Sequence, residues 1–169
     1  KVYPYLSSIF EVDGVKYVPV SPSERTCDAI DCTDNPTDTI INIGNTVTFK
    51  GVAMTVKEIN PYICYGNSHI KECKIYYNGN IPNYAFYGCS AIENATINVE
   101  TIGESAFKNS ATLNPATFSI DTKSVGNYAF NGCSAIENAT INAETIGKSA
   151  FENSATKTPA TFSIDTKSV

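Results

Sequence analysis

The sequence predicts an α/β solenoid: short parallel strands along an inner face, single helical turns opposite them, and a β-hairpin cap at the N-terminal end. Three observations predict it. Residues 81–124 return almost unchanged as residues 125–168, differing at eight of 44 positions. Inside each block an apolar anchor followed by Ala-Phe recurs, with anchors at Ile81, Ile102, Val125 and Ile146 in steps of 21, 23 and 21 residues, and Val169 follows after 23 more. Each unit also ends in period-two alternation of apolar and polar residues. A period in this range marks stacked units that bury their apolar faces only against one another.

The unit beginning at Val125 has its apolar places at Val125, Ala129, Phe130, Cys133, Ile136, Ala139 and Ile141. The stretch from Ile136 to Ile141 reads as a half-buried strand. The stretch GNYAFNG offers one helical turn with Ala129 and Phe130 inward. Gly103, Gly126 and Gly147 follow their anchors, and Pro82 stands in the same place; either residue suits entry to a helical turn. A worn first copy is legible upstream, with Ile59 as anchor, Ile63-Cys64 in the place of Ala-Phe, and Ile70, Cys73 and Ile75 on the strand. Five units result: 59–80, 81–101, 102–124, 125–145 and 146–168.

Residues 1–58 are expected to cap the exposed first layer. SIFEVDGVKYVPV (8–20) reads as a hairpin turning at Asp13-Gly14, and TVTFKGVAMTVKEI (46–59) as a second strand pair turning at Lys50-Gly51 that runs directly into the stack. The Pro-, Asp- and Ser-rich segment 21–39 between them is expected to be loop.

Six cysteines are present. Cys89 and Cys133 hold equivalent places two units apart, so at a strand spacing of about 4.8 Å they lie about 10 Å from each other and cannot bond. Each reads as a small buried group whose thiol donates weakly to a loop carbonyl, with Ser110 and Ser154 in the same role in the alternate units. Cys64 and Cys73 read as core residues; Cys27 and Cys32, close together outside the repeats, are the candidate pair for a local disulfide, and the sequence leaves their state open.

The segments IGESAF, VGNYAF, IGKSAF, YGCSAI and NGCSAI keep one register, and the pattern resembles the BspA-like class of leucine-rich repeats (IGxxAFxxCxxLxxIxIPxxVxx) across residues 59–168. The resemblance implies a right-handed leucine-rich-repeat superhelix and a bacterial cell-surface or secreted protein that binds other macromolecules, with adhesion as the expected role. Two departures stand out. The second leucine place is alanine in four units (Ala95, Ala116, Ala139, Ala160), which predicts a thin core. The first leucine place, Leu113, becomes Lys157 one block later, which is expected at a partly open end.

Composition excludes several functions. A net charge of −5 gives no basic stripe for nucleic acid, and no apolar run is long enough to insert in a membrane. The start, KVYPYLSS, lacks a signal peptide's apolar core, while a composition rich in Asn, Ser and Thr with 17% charged residues favours an exported chain whose targeting segment has been removed. No cofactor or enzyme is indicated. His69 is a lone surface histidine, Cys27, Cys32 and His69 lack a second close ligand pair for zinc, and Asp28, Asp31, Asp34 and Asp38 lack EF-hand spacing.

The strand residues that alternate with the buried ones are the candidate binding ladder. Unit by unit they are Glu72, Lys74, Tyr76; Asn94, Thr96, Asn98; Pro115, Thr117, Ser119; Asn138, Thr140, Asn142; and Pro159, Thr161, Ser163. The expected function is a non-enzymatic binding module that engages a host or bacterial surface protein through this face. A structural spacer within a larger surface protein and a glycan-binding module are the alternatives.

Overall fold

The computed structural model describes residues 1–157 and 160–166. Two sheets are present. The N-terminal sheet contains β1 (Phe10–Val12), β2 (Val15–Ser21), β3 (Thr26–Cys32), β5 (Thr46–Phe49) and β6 (Val52–Ile59) in the order β1-β2-β3-β6-β5. The second sheet starts with β4 (Ile40–Gly44) and β7 (Glu72–Ile81). It continues through β8 (Asn94–Ile102), β9 (Ala116–Asp121), β11 (Ile136–Ala143) and β13 (Thr161–Thr166), each parallel to the next. Two short strands, β10 (Ser124–Val125) and β12 (Thr145–Ile146), extend a second parallel ladder from the end of β8.

Both expected hairpin turns form, with left-handed backbone at Asp13-Gly14 (φ 48° and 78°) and Lys50-Gly51 (φ 48° and 77°). These angles suit the two-residue turns that match strand twist. Phe10 stacks on Tyr17 (5.5 Å) and on Phe49 (4.7 Å), which draws edge strands β1 and β5 together.

The segment expected to be loop contains β3, which pairs antiparallel with β2 and parallel with β6. Burial outweighs its polar composition. Cys27, Asp28 and Ala29 are fully enclosed, and the Asp28 carboxylate is met by Lys1 Nζ at 2.6 Å and Tyr3 Oη at 2.9 Å. The strand that joins the repeat sheet from upstream is β4, while β6 stays in the cap sheet.

β3 also decides the disulfide. Cys27 and Cys32 lie five residues apart on an extended strand, about 16 Å at the usual strand rise, so they cannot bond. Cys32 is bonded instead to Cys64 of the first repeat, with Cα atoms 5.2 Å apart, and Cys27 is a buried free thiol.

The segments opposite the strands are not helical. Among the described residues the only helix is one 3-10 turn, Leu6–Ser8. In each unit the third residue after the anchor is left-handed: Tyr62, Tyr84, Ser105, Tyr128 and Ser149 have φ between 51° and 60°. Backbone N–H groups then alternate between a local partner three residues back and a carbonyl of the next unit. Ala85 N bonds to Pro82 O at 3.3 Å, whereas Phe86 N bonds to Ala106 O at 2.7 Å and Gly88 N to Lys108 O at 2.8 Å. A helix would hold these donors within its own segment; here they hydrogen-bond successive units to each other.

That ladder explains the glycines. A Cβ on Gly103 would lie 2.6–2.8 Å from Asn83 Oδ1, Asn83 N and Pro82 C, and one on Gly126 would lie 2.7–2.8 Å from Gly103 and Glu104 backbone atoms. Close approach between units excludes a side chain there, so entry to a helical turn is not the reason for glycine.

The core consists of stacked rows. Phe86, Phe107, Phe130 and Phe151 stack at 4.8, 5.2 and 5.1 Å with nearly parallel rings. Ile43, Ile75, Ile97, Ile120 and Ile141 form a second row, at most 2% exposed. Cys89 donates to Cys64 O (3.0 Å), Ser110 to Phe86 O (2.7 Å), Cys133 to Phe107 O (3.1 Å) and Ser154 to Phe130 O (2.7 Å), so thiol and hydroxyl perform the same task in alternate units.

The register of the longer units differs from the expected one. Ala95 pairs with Phe118, not Ala116, and Ile97 pairs with Ile120. The interval from Ile97 to Ile102 equals that from Ile120 to Val125, five residues each, whereas Cys89 to Ala95 spans six and Ser110 to Phe118 spans eight. The two extra residues therefore precede the strand, around Ala111–Pro115, and do not lengthen the loop after it.

The core is accordingly not thin. Ala95, Phe118, Ala139 and Phe162 alternate small and large at one place, and Ile136 against Ala116 reverses the order at the preceding one. Large and small residues interdigitate so that summed volume is kept. Leu113 is 62% exposed, so Lys157, itself exposed, occupies a surface place and never faced the core. Lys157 Nζ donates to Thr112 O. Pro159 and Val169 lie outside the described residues.

Candidate binding face

Period-two alternation turns one set of strand residues into the core and the other set outward. All eleven expected site residues from Glu72 to Asn142 fall on this outward face, and the register sorts them into three columns. The first runs Ile40, Glu72, Asn94, Thr117, Asn138, Thr161. The second runs Asn42, Lys74, Thr96, Ser119, Thr140, Ser163. The third runs Gly44, Tyr76, Asn98, Asp121, Asn142, Asp165.

The longer units thus stand one column away from their expected place: Thr117 lies beside Asn94 and Ser119 beside Thr96. Pro115 leaves the ladder. Asp121 and Asp165 enter it, so the third column carries two carboxylates outside the expected ladder.

Charge on the first two columns is confined to Glu72 and Lys74, which pair at 3.0 Å. Tyr76 is 51% exposed beside Gly44, which has no side chain to cover it. Along the rim beyond the third column, Glu100 pairs with Lys123 at 2.7 Å, and that hydrogen bond raises the lysine pKa.

The face has a wall at its first strand. A groove of about 590 Å³ lies between the cap hairpin (Glu11, Asp13), the Thr37–Ile40 segment and the face residues Asn42 and Lys74. Gly14 makes the wall possible. It takes φ 78°, and a Cβ on it would lie 2.5 Å from the Ile40 carbonyl oxygen. Asn42 N then bonds to Asp13 O at 3.2 Å and Thr33 N to Gly14 O at 2.9 Å. The Asp-Gly pair signalled this hairpin, but nothing in the sequence placed it against the ladder.

His69 and the acidic run do not converge on a site. Both His69 ring nitrogens are engaged, with Asp38 O at 2.7 Å and Asn67 Nδ2 at 3.0 Å. Asp28 is enclosed, Asp34 pairs with Lys16 at 2.7 Å, and Asp38 accepts from Thr33 Oγ1 at 2.7 Å. Among the described residues no group of three or more His, Cys, Asp or Glu is placed to hold a metal ion. No helix among them is long and apolar enough to cross a membrane.

A second feature lies away from the strands and was missed. Tyr62 stacks on Tyr84 (5.4 Å) and Tyr65 on Tyr87 (5.0 Å), forming an aromatic cluster on the turn segments. The signal was present as Tyr-x-x-Tyr in two successive units.

Parallel strands, each paired with the next unit's and joined by turns that hydrogen-bond to the next unit, define a solenoid of leucine-rich-repeat type. The pattern of the BspA type leucine-rich repeat region matches residues 54–169 in six copies, and the chain belongs to that family. No curated protein matches it.

Among solved structures, a leucine-rich cell surface protein from Faecalibacterium prausnitzii A2-165 is 15% identical with a TM-score of 0.44, covering 95% of this chain and 55% of its own. A leucine-rich repeat protein from Bacteroides ovatus ATCC 8483 is 15% identical with a TM-score of 0.41, covering 88% and 57%. The pneumococcal vaccine antigen PcpA is 12% identical with a TM-score of 0.35, covering 95% and 51%. The chain spans about half the length of these proteins.

Proposed function

We propose that this chain is a non-enzymatic protein-interaction module of a bacterial cell-surface or secreted protein, with residues 1–58 capping the repeats of 59–169. It binds a host or bacterial surface protein through the strand face. The observation that carries the reading is the open three-column face itself: parallel strands, mostly short polar side chains and a grooved wall at one end. Rows of Asn, Thr and Ser offer donors and acceptors at low entropic cost, while Tyr76 and the groove beside Lys74 supply an aromatic and concave anchor at the cap end of the face. Family membership supports a surface setting.

The test displays the chain against candidate extracellular proteins and compares it with Tyr76→Glu/Asn94→Lys/Asn138→Lys. These three positions are exposed, so folding is expected to survive. Binding should fall at least about tenfold, the equivalent of one anchor's ~1.4 kcal/mol. Unchanged affinity for every partner would refute the strand face as the site.

A further inference from the structure

We propose that the groove between the first repeat's tyrosines and the end of β3 is a binding site for an arginine side chain of a protein partner. It lies on the turn segments and stands independently of the strand-face reading.

The geometry begins with two rings. Tyr62 and Tyr65 are 56% and 54% exposed, with centroids 5.6 Å apart and planes inclined at 56°, an open V. Each has one face covered by the tyrosine of the next unit, Tyr84 or Tyr87, at interplanar angles of 4° and 10°. The stack starts at this repeat, so among the described residues no ring covers the other faces. Those rings line a groove of about 280 Å³ together with Asp31, Asp34, Asn67 and His69. The volume lies just below the usual range of about 300–1,000 Å³ for small-molecule sites, which suits one inserted side chain.

The chemistry of the lining selects a cation. Asp31 and Asp34 are both exposed at the rim, and among the described residues no lysine or arginine lines the groove. Asp34 is held ionised, its pKa lowered first by the hydrogen bond from Lys16, which approaches from outside the groove. His69 is committed to Asp38 and Asn67 and adds no free donor. Aromatic faces with adjacent carboxylates favour a planar guanidinium, which stacks on a ring while donating in a fork to a carboxylate. A chain charge of −5 favours the encounter with a basic segment.

The site is also fixed in advance. Cys32 follows Asp31 and Cys64 precedes Tyr65, so the disulfide joins the carboxylate wall to the tyrosine wall. Cys32 N adds a hydrogen bond to Ile63 O at 3.0 Å across the same seam. Preorganised walls lower the ordering cost of binding.

The experiment titrates the oxidised chain with acetyl-Gly-Arg-Gly-amide, followed by NMR, with the citrulline peptide and a set of methyl glycosides in parallel. The arginine peptide should give saturable shifts at Tyr62, Tyr65, Asp31 and Asp34, and the citrulline peptide should not. Tyr65→Ala should weaken binding about 2- to 5-fold, the ratio expected of an exposed cation–π contact, and Asp31→Asn, also at an exposed position, by up to about 5-fold, that of an exposed ion pair. Reducing the Cys32–Cys64 bond should weaken it further. The proposal is overturned if citrulline binds as well as arginine. Saturation by a glycoside without arginine binding, shifts confined to the strand face, or no saturable binding up to about 10 mM would overturn it too.

Discussion

Replacing Phe118 with alanine discriminates between two ways of threading the longer repeats. The ring is 1% exposed and meets Phe107 edge-on at 6.1 Å and Phe130 at 5.6 Å. Its neighbours at the same place in adjacent strands are Ala95 and Ala139, too small to collapse into the space it leaves. The loss should therefore lie toward the top of the ~3–5 kcal/mol usual for Phe→Ala in a core. Leu113→Ala removes a side chain that is 62% exposed and should stay within about 0.5 kcal/mol of the parent. Urea unfolding followed by tyrosine fluorescence and far-UV CD reads both, as a shift in midpoint at constant slope. A Leu113→Ala loss above about 2 kcal/mol, with Phe118→Ala below about 1, would return Leu113 to the core and refute the register.

Three further outcomes follow from other parts of the molecule. Gly126→Ala should cost about 1–3 kcal/mol or more, because its Cβ would sit 2.7 Å from the Gly103 carbonyl carbon and only backbone could move; a neutral effect in the same urea assay would contradict the close approach between units. Replacing Cys32 and Cys64 together with serine should cost about 3–4 kcal/mol for a closed loop of this sequence separation of 32, measured as the difference in unfolding free energy under oxidising conditions; no change would mean the bond is not formed. Burial pushes the Cys89 and Cys133 thiols up to about 12 from 9.0. Above pH 9 the unfolded chain releases these protons while the folded one keeps them, so stability should fall between about pH 9 and 12. A Cys89→Ser/Cys133→Ser variant should lose part of that slope, and an unchanged slope would assign it to other groups.

The legible part of the fold was whatever repeated. Ala-Phe, the Cys/Ser place and the post-anchor glycine kept register through the copies, and each proved to be a row of the core or a point of close contact between units. The helical turns were misread because GNYAFNG has a helix-like apolar pair, while left-handed φ at Tyr128 redirects the backbone donors to the next unit. Phe118 was misplaced because ATLNPATF offers Leu113 and Ala116 as an equally good apolar pattern, and only stacking against Ala95 and Ala139 chooses Phe118.

The first strand of the repeat sheet was within reach. Ile41-x-Ile43 has the spacing of Cys73-x-Ile75, which it joins. The disulfide was not, since Cys32 meets Cys64 only through the burial of β3. The face itself was readable from alternation, whereas its groove and its third-column carboxylates depend on register and on the cap hairpin, which local pattern does not specify.

The register between β8 and β9 carries the composition of the face, the alternating core and the place of the extra residues. It is tested most directly by NMR scalar coupling through hydrogen bonds. Thr117 N donates to Glu93 O at 2.8 Å, so a coupling should appear between Thr117 N and the Glu93 carbonyl carbon. A coupling from Thr117 N to the Ala95 carbonyl carbon instead would place Pro115 beside Asn94 and contradict the account.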